Sequence, residues 1–447
     1  MSNTSLNTDL YELTMIAGSL PDKVATRQAV FEVYARSLPT GRRYGIVGGV
    51  GRVADAVRNF HFDDEAMRYL ATIPALTKES LRWLENYTFT GDIRAYPEGD
   101  LYFPNSPILT VKGTFAEAVV LETAILSILN RDSAIASAAT RMVEAARGRN
   151  LIEMGTRRTD MDAAPHAARM AVAMGFAGTS NLKAGHIYGL PVAGTSAHAF
   201  TLAHDNEVEA FRAQMDVLGT GTTLLVDTYD IEQGIKNAIQ VSRQMGVPGP
   251  GAIRIDSGDL QVEVPRARDL LDRLGAIQTK IVVSSDLDEF SIDALAEVPV
   301  DTFGVGTRLV MGSQAPTSGF VYKLVAIEDS PGHLRPVAKR SIGKASIGGE
   351  KWAWRNFNDD GLLLAESLSL TSDPHFEGDW REMSIPIVLQ GDVVLRDDWR
   401  AVREYHQAVM NCLPESAKSV MAGDPYIKPV VVEGHQPVTQ SLTGGIV

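Results

Sequence analysis

Six short segments hold residues whose type and spacing suit chemistry. PVAGTSAHAF, residues 191 to 200, is read as a buried strand running into Gly194 and Thr195 and then presenting His198. Asp205, Glu207 and Glu209 follow closely, and a carboxylate that holds one ring N–H leaves the other nitrogen the better nucleophile. AIRIDSGDL, residues 252 to 260, sets Arg254 and Asp256 two apart, so on an extended strand both face one side of the sheet. Ser257 and Gly258 then let the backbone turn close to a ligand. One cation with carboxylates at a strand end suits a sugar phosphate carrying Mg²⁺. FGVGTRL offers Gly304, Gly306 and Thr307 as a glycine-spaced turn whose amides can face a phosphate. EMGTRR puts Arg157 and Arg158 past another strand end. On extended backbone they diverge, so one of the two is expected to enter a site and grip a carboxylate bidentately. TDLYELTM carries Tyr11 at a helix start, and Arg42, Arg43 and Tyr44 precede a glycine turn. Each segment alone also reads as structure: a core histidine, a solvated Arg–Asp turn, a loop glycine, a surface Arg pair, a packed aromatic.

These segments recur at equivalent places in a repeating pattern. From about Leu151 to Val325, short β-branched apolar runs alternate with longer segments of helical spacing. The runs are 151–154, 191–193, 223–226, 252–255, 280–283 and 302–305, and each ends in a polar cluster: GTRR, GTSAH, DTYD, DSGD, SSDLDE or GTR. Alternation of this kind predicts parallel pairing, and that many buried strands can close into a barrel whose chemistry sits at the strand C-termini. The first 130 residues differ. They predict a helix over 9–19, a strand over 29–35, helices over 49–59 and 63–73, and a β-rich stretch over 90–113. After Tyr322, LVAIED, LRPVAKRSIGKAS, GGEKWAWRN and MSIPIVLQGDVV predict strands and hairpins, with a helix over 397–410. The expected organisation is therefore an N-terminal α+β domain (1–130), a catalytic α/β barrel (131–325) and a β-rich segment (326–447) that packs with the first domain.

Composition narrows the partners. The net charge is −13, with 45% hydrophobic and 22% charged residues, which describes an acidic globular protein and not a nucleic-acid binder. A phosphorylated ligand must then be held by local cations and amides against that overall sign. Cys412 is the one cysteine, so no internal disulfide is expected and a reducing, cytoplasmic setting fits. The N-terminus lacks a basic region followed by an apolar run, and no stretch reaches the roughly 18 apolar residues of a membrane span.

Taken together, TDLYELTM, FEVYARSLPTGRRYGIVGGV, FPNSPILTVKGTFAEAVVLET, EMGTRR, GTSNLKAG, PVAGTSAHAF, LLVDTYD, IRIDSGDL, VVSSDLDE, FGVGTRLV and VYKLVAI, in that order, resemble the nicotinate phosphoribosyltransferases along nearly the whole chain. The resemblance implies a type II phosphoribosyltransferase α/β barrel with an N-terminal α+β domain completed by the C-terminal segment. The PRPP loop of the Rossmann-like phosphoribosyltransferases is absent, in agreement with the barrel class. It further implies a homodimer that joins nicotinate to 5-phosphoribosyl-1-pyrophosphate (PRPP) in NAD biosynthesis, with Mg²⁺ on PRPP and ATP. By position, His198 matches the histidine phosphorylated by ATP and Arg157 the arginine beside the pyridine ring. Tyr11 matches the aromatic that stacks on that ring from the partner subunit. Arg254 and Asp256, with Ser257 and Gly258, match ribose and phosphate contacts, and Gly304, Gly306 and Thr307 the 5′-phosphate loop. Met154 departs from the nicotinamide enzymes, which carry an aromatic there, and Ser180 stands where they carry an aspartate.

Three other readings compete. A nicotinamide or quinolinate phosphoribosyltransferase lies within the class, although quinolinate enzymes are shorter and need cations for two carboxylates. A catalytically silent sensor of the same fold would not need His198, Arg157, Arg254 and Asp256 together. A barrel lyase or aldolase would want a Schiff-base lysine after a strand, and Lys183 and Lys280 are the nearest, neither so placed.

Overall fold

The strand Gln28–Ala35 is buried at every residue but the first, so both its edges and both its faces must be covered. Its edges pair antiparallel with Leu109–Thr114 on one side and Phe320–Ser330 on the other. That pairing draws the late part of the chain back to the early part. In the computed structural model, which describes residues 3–339, 347–433 and 436–437, two compact units result: residues up to Ser137 with those from Thr317 onward, and Ala138–Pro316.

The first unit is built on a seven-stranded sheet and a five-stranded sheet. The seven-stranded sheet takes Asp92–Ala95 and Ile385–Leu389 beyond Leu109–Thr114. Phe31, Val33, Ile93, Val111, Tyr322 and Ile387 join in one apolar core. The expected boundaries at 130/131 and 325/326 need correction. The first falls inside the single helix Glu122–Ala146 and the second inside the strand Phe320–Ser330. An apolar run such as FVYKLVAI has the same period whichever sheet receives it, which is why its partner was not legible. The expected hairpin through LRPVAKRSIGKAS lies outside the described residues from 340 to 346.

A buried ionic cluster ties the returning segment to the first. Arg355, about 3% exposed, donates from Nη1 to Asp100 Oδ1 at 2.5 Å, from Nε to Glu366 Oε2 at 2.8 Å and from Nη2 to the Leu101 carbonyl at 2.7 Å. Tyr405 Oη donates to the second Asp100 oxygen at 2.5 Å. Burial alone would lower the Arg355 pKa, but Asp100 and Glu366 outweigh it and hold the guanidinium charged. Arg355→Ala leaves two buried carboxylates without their cation and is expected to cost about 3–5 kcal/mol of stability in urea unfolding. A loss below about 1 kcal/mol would contradict this role.

Glu12 gives a pH signature. It lies on the helix Leu10–Ser19 with no exposed surface, and accepts from the Thr123 amide at 2.8 Å and hydroxyl at 2.7 Å. Burial, with Glu122 adding to it, pushes its pKa from 4.5 to about 7 against the Thr123 hydrogen bonds. The folded form therefore holds this proton more tightly than the unfolded chain, and stability falls as pH rises between those two values. Glu12→Gln, which keeps the acceptor and carries no proton to lose, is expected to gain on the order of 1–2 kcal/mol relative to wild type between pH 5 and pH 8. Equal wild-type-to-variant differences at both pH values, by urea unfolding, would contradict it.

The second unit carries six parallel strands: β1 (Asn150–Glu153), β2 (Gly178–Thr179), β3 (Thr223–Leu225), β4 (Ala252–Ile255), β5 (Lys280–Ser284) and β6 (Thr302–Val305). Their order is β2-β1-β6-β5-β4-β3, all parallel. Helices such as Glu207–Leu218, Ile231–Gln244 and Leu260–Arg273 make the crossovers. Alternation sends Leu151, Ile253, Ile281, Val283, Phe303 and Val305 into full burial, while Ile152, Met154, Arg254, Val282, Ser284 and Gly304 face a common cavity. The expected strand at 191–193 is corrected: Pro191, Val192 and Ala193 are exposed, and one parallel bridge joins Val192 to Thr179. Among the described residues, pairing stops there and at β3. No described helix is long and apolar enough to cross a membrane.

Candidate active site

The cavity, about 1000 Å³, is lined by residues from the strands and by the segments that follow them. Arg157, Ser180, His198, Arg254, Asp256, Gly304, Gly306 and Thr307 all reach it. Ser257 and Gly258 do not line it. Tyr11 belongs to the first unit, on the helix Leu10–Ser19, and is 46% exposed.

His198 opens the short helix His198–Leu202 and does not directly follow a strand. Its Nε2 lies 3.1 Å from Asp227 Oδ1, with side-chain exposures of 39% and 1%. The acidic partner is therefore Asp227, just past β3, and not Asp205, Glu207 or Glu209. Glu207 accepts from Asn237 Nδ2 at 2.8 Å, and Asp205 and Glu209 are exposed. The second Asp227 oxygen accepts the Asp256 amide at 2.8 Å and the Ser257 hydroxyl at 2.6 Å. One buried carboxylate thus fixes both the histidine and the DSGD turn, and it spends the Ser257 hydroxyl in doing so. DTYD was legible as a polar strand end. Which carboxylate in it reaches a histidine 29 residues away depends on the tertiary fold, and no local spacing carries that.

Arg254 is held on β4 with its Nε buried and without a hydrogen-bond partner among the described residues. Burial lowers its pKa, Asp256 and Asp227 counter this, and Arg157 adds to the lowering. Two guanidiniums thus bear on one space, a poor arrangement for an empty protein and a good one for an anion. Asp256 accepts the Ser284 hydroxyl at 2.6 Å. Ser284 and Asp286, from the SSDLDE strand end, line the cavity and were not singled out in the sequence. A side chain on Gly304 would meet Met154 Sδ at 2.8 Å and Ser284 Cβ at 3.0 Å, so the glycine leaves room that Met154 partly fills.

The arginine pair also needs correction. Thr156–Arg158 is a 3₁₀ turn, not extended backbone, and both Arg157 and Arg158 line the cavity. On a tight turn, neighbouring side chains are not forced to opposite faces. Of the two lysines weighed for Schiff-base chemistry, Lys183 is bound to Asp162 at 2.9 Å, and Lys280 lines the cavity from the start of β5 and not from the strand end that carries Ser284.

Residues 6–130 match the nicotinate phosphoribosyltransferase (NAPRTase) N-terminal domain and residues 150–353 the nicotinate phosphoribosyltransferase (NAPRTase) family. The nicotinate phosphoribosyltransferase pncB1 of Mycobacterium tuberculosis (strain CDC 1551 / Oshkosh) is 49% identical over 436 residues, 94% of each chain. The chain belongs to the nicotinate phosphoribosyltransferase family. The human nicotinate phosphoribosyltransferase is 30% identical over 83% of this chain and 80% of its own. Among solved structures, human nicotinic acid phosphoribosyltransferase superposes with a TM-score of 0.82 at 24% identity, covering 96% of this chain and 98% of that one. The nicotinate-nucleotide pyrophosphorylase from Pyrococcus furiosus gives 0.73 at 24%, covering 91% and 95%. These two show a shared fold.

Proposed function

We propose that this nicotinate phosphoribosyltransferase converts nicotinate, PRPP, ATP and water to nicotinate mononucleotide, pyrophosphate, ADP and phosphate, with ATP coupled through His198. The observation that carries it is the one cavity in which Arg157, Ser180, His198, Arg254 and Asp256 meet. Every strand of the sheet borders that cavity or leads into a residue that does. A flat sheet offers no such shared interior, which supports the finer reading of a closed α/β barrel.

The pyridine nitrogen attacks C1 of PRPP, the bond to pyrophosphate breaks, and the electron pair leaves with pyrophosphate. Positive charge grows on the ribose and negative charge on the leaving group. Asp256 answers the first, and Arg254, whose Nε has no partner among the described residues, the second. No general base is needed because the nitrogen lone pair is already free. In this reading Mg²⁺ is carried chiefly by the substrate phosphates. Asp256 and Asp286 are the carboxylates that would complete its shell, where it would neutralise pyrophosphate charge. For the ATP step, Nε2–H of His198 donates to Asp227 and leaves Nδ1 as the nucleophile. Nδ1 takes the γ-phosphoryl group, ADP departs, and water later releases phosphate.

Exposed Leu182, Ile187, Val192 and Leu202 support a homodimer in which the partner subunit's Tyr11 covers the base. The single cysteine supports a cytoplasmic setting.

Base choice tests the site. Ser180 can donate to a carboxylate whose charge Arg157 offsets, whereas an aspartate there would accept from an amide and repel the acid. Ser180→Asp is expected to cut kcat/KM for nicotinate by about 3 kcal/mol, some hundredfold, and to narrow the preference over nicotinamide. Unchanged nicotinate kinetics would remove Ser180 from the base subsite.

A further inference from the structure

Glu153 sits on β1 between the cavity-lining Ile152 and Met154, points away from them, and is 1% exposed. Its Oε2 accepts the Thr179 hydroxyl at 2.5 Å, and its Oε1 accepts the Gly155 amide. Its own carbonyl takes the Ser180 amide at 2.8 Å. From there the network closes on itself. The Asn181 amide donates to Thr179 Oγ1 at 2.9 Å, and Asn181 Nδ2 donates to Thr156 Oγ1 at 3.1 Å. Two loops are held by this ring: the turn Thr156–Arg158, with Arg157, and the end of β2, with Ser180.

The partners of this carboxyl group are neutral donors, and burial pushes its pKa up against them. An acid buried among neutral groups costs stability relative to an apolar side chain of similar size, so stability does not account for it. What an apolar side chain would not do is bind both loops at once. We propose that Glu153 is the positioning residue of the base subsite: by bridging Gly155 and Thr179 it sets the separation of Arg157 and Ser180, and with it the selectivity for a base bearing a carboxylate. The inference rests on the reading that Arg157 and Ser180 hold that carboxylate.

The test uses the full-length protein, with initial rates measured for nicotinate and nicotinamide at saturating PRPP. Glu153→Ala and Thr179→Val are expected to raise KM for nicotinate about tenfold and to narrow the nicotinate-to-nicotinamide ratio of kcat/KM about as much, leaving KM for PRPP within about twofold. Glu153→Gln, which keeps an acceptor for Gly155, and Thr179→Ser, which keeps the hydroxyl, are expected to recover most of that loss. Thr179→Val carries the test if Glu153→Ala does not fold. Unchanged nicotinate KM in Thr179→Val, or equal losses for both bases, overturns the proposal. Arg157→Ala and Ser180→Ala separate the two levels. If they too leave nicotinate KM unchanged, the base-subsite reading fails. If they raise it while the Glu153 and Thr179 variants do not, the positioning role alone fails.

Discussion

Arg254→Ala is expected to lower kcat/KM for nicotinate mononucleotide formation by roughly 10²–10³-fold, about 2.7–4 kcal/mol of transition-state stabilisation, with the protein still folded. The guanidinium lines the cavity at the end of β4, and its buried Nε lacks a partner among the described residues. A donor in that state has its interaction left to make, and the charge growing on pyrophosphate is the group that would take it. The contact is realised as the C1–O bond breaks, so the loss is expected in kcat as well as in KM for PRPP. Asp256→Ala is expected to act in the same direction from the ribose side. Its amide and the neighbouring Ser257 hydroxyl remain bound to Asp227, so the backbone of the turn is retained. Wild-type rates in either variant, with PRPP saturation unchanged, would reduce the motif to a turn.

His198→Asn is expected to abolish acid-labile phosphate incorporation from ATP and the coupling of ATP hydrolysis to nucleotide formation, while slow ATP-independent synthesis continues. On the proposed coupling, a phosphohistidine would add charge and acceptor oxygens beside Mg²⁺ and pyrophosphate and so would alter the affinity for PRPP and for products unequally. Such an inequality would allow hydrolysis to shift the equilibrium toward nucleotide. Asp227 supports the assignment, because a carboxylate with 1% exposure at 3.1 Å from Nε2 fixes the ring. ATP hydrolysis in proportion to nicotinate consumed by the variant, or phosphate mapped to His186 or His204, would make His198 structural.

The parallel strands were legible where they were bounded by polar ends: β4 and β6 fall at the expected residues, β3 and β5 differ by one residue at one end, and β1 is shifted by one residue at both. β2 was missed. Two residues, Gly178 and Thr179, are too few for a period to register. Pro191–Ala193 was misread because an apolar triplet next to glycine looks buried, whereas it lies at an edge with one bridge. At the site, Arg254 and Asp256 followed from the two-residue repeat of a strand. Asp227 and Asp286 did not, since what they meet, His198 for the one and the shared cavity for the other, is brought near only by the fold. The arginine pair was misjudged because Thr156–Arg158 is a 3₁₀ turn, and nothing in the local residue pattern separates that from extended backbone.

The most direct test of the central claim is a product assay on purified protein with PRPP and Mg²⁺, offering nicotinate or nicotinamide, with and without ATP, and following nucleotide, pyrophosphate and ADP together. The cavity and its residues predict nicotinate mononucleotide and pyrophosphate in equal amounts, ADP formed alongside when ATP is present, and nicotinamide used at least about a hundredfold less well. Equal turnover of the two bases, or no nucleotide from nicotinate under either condition, would contradict the account.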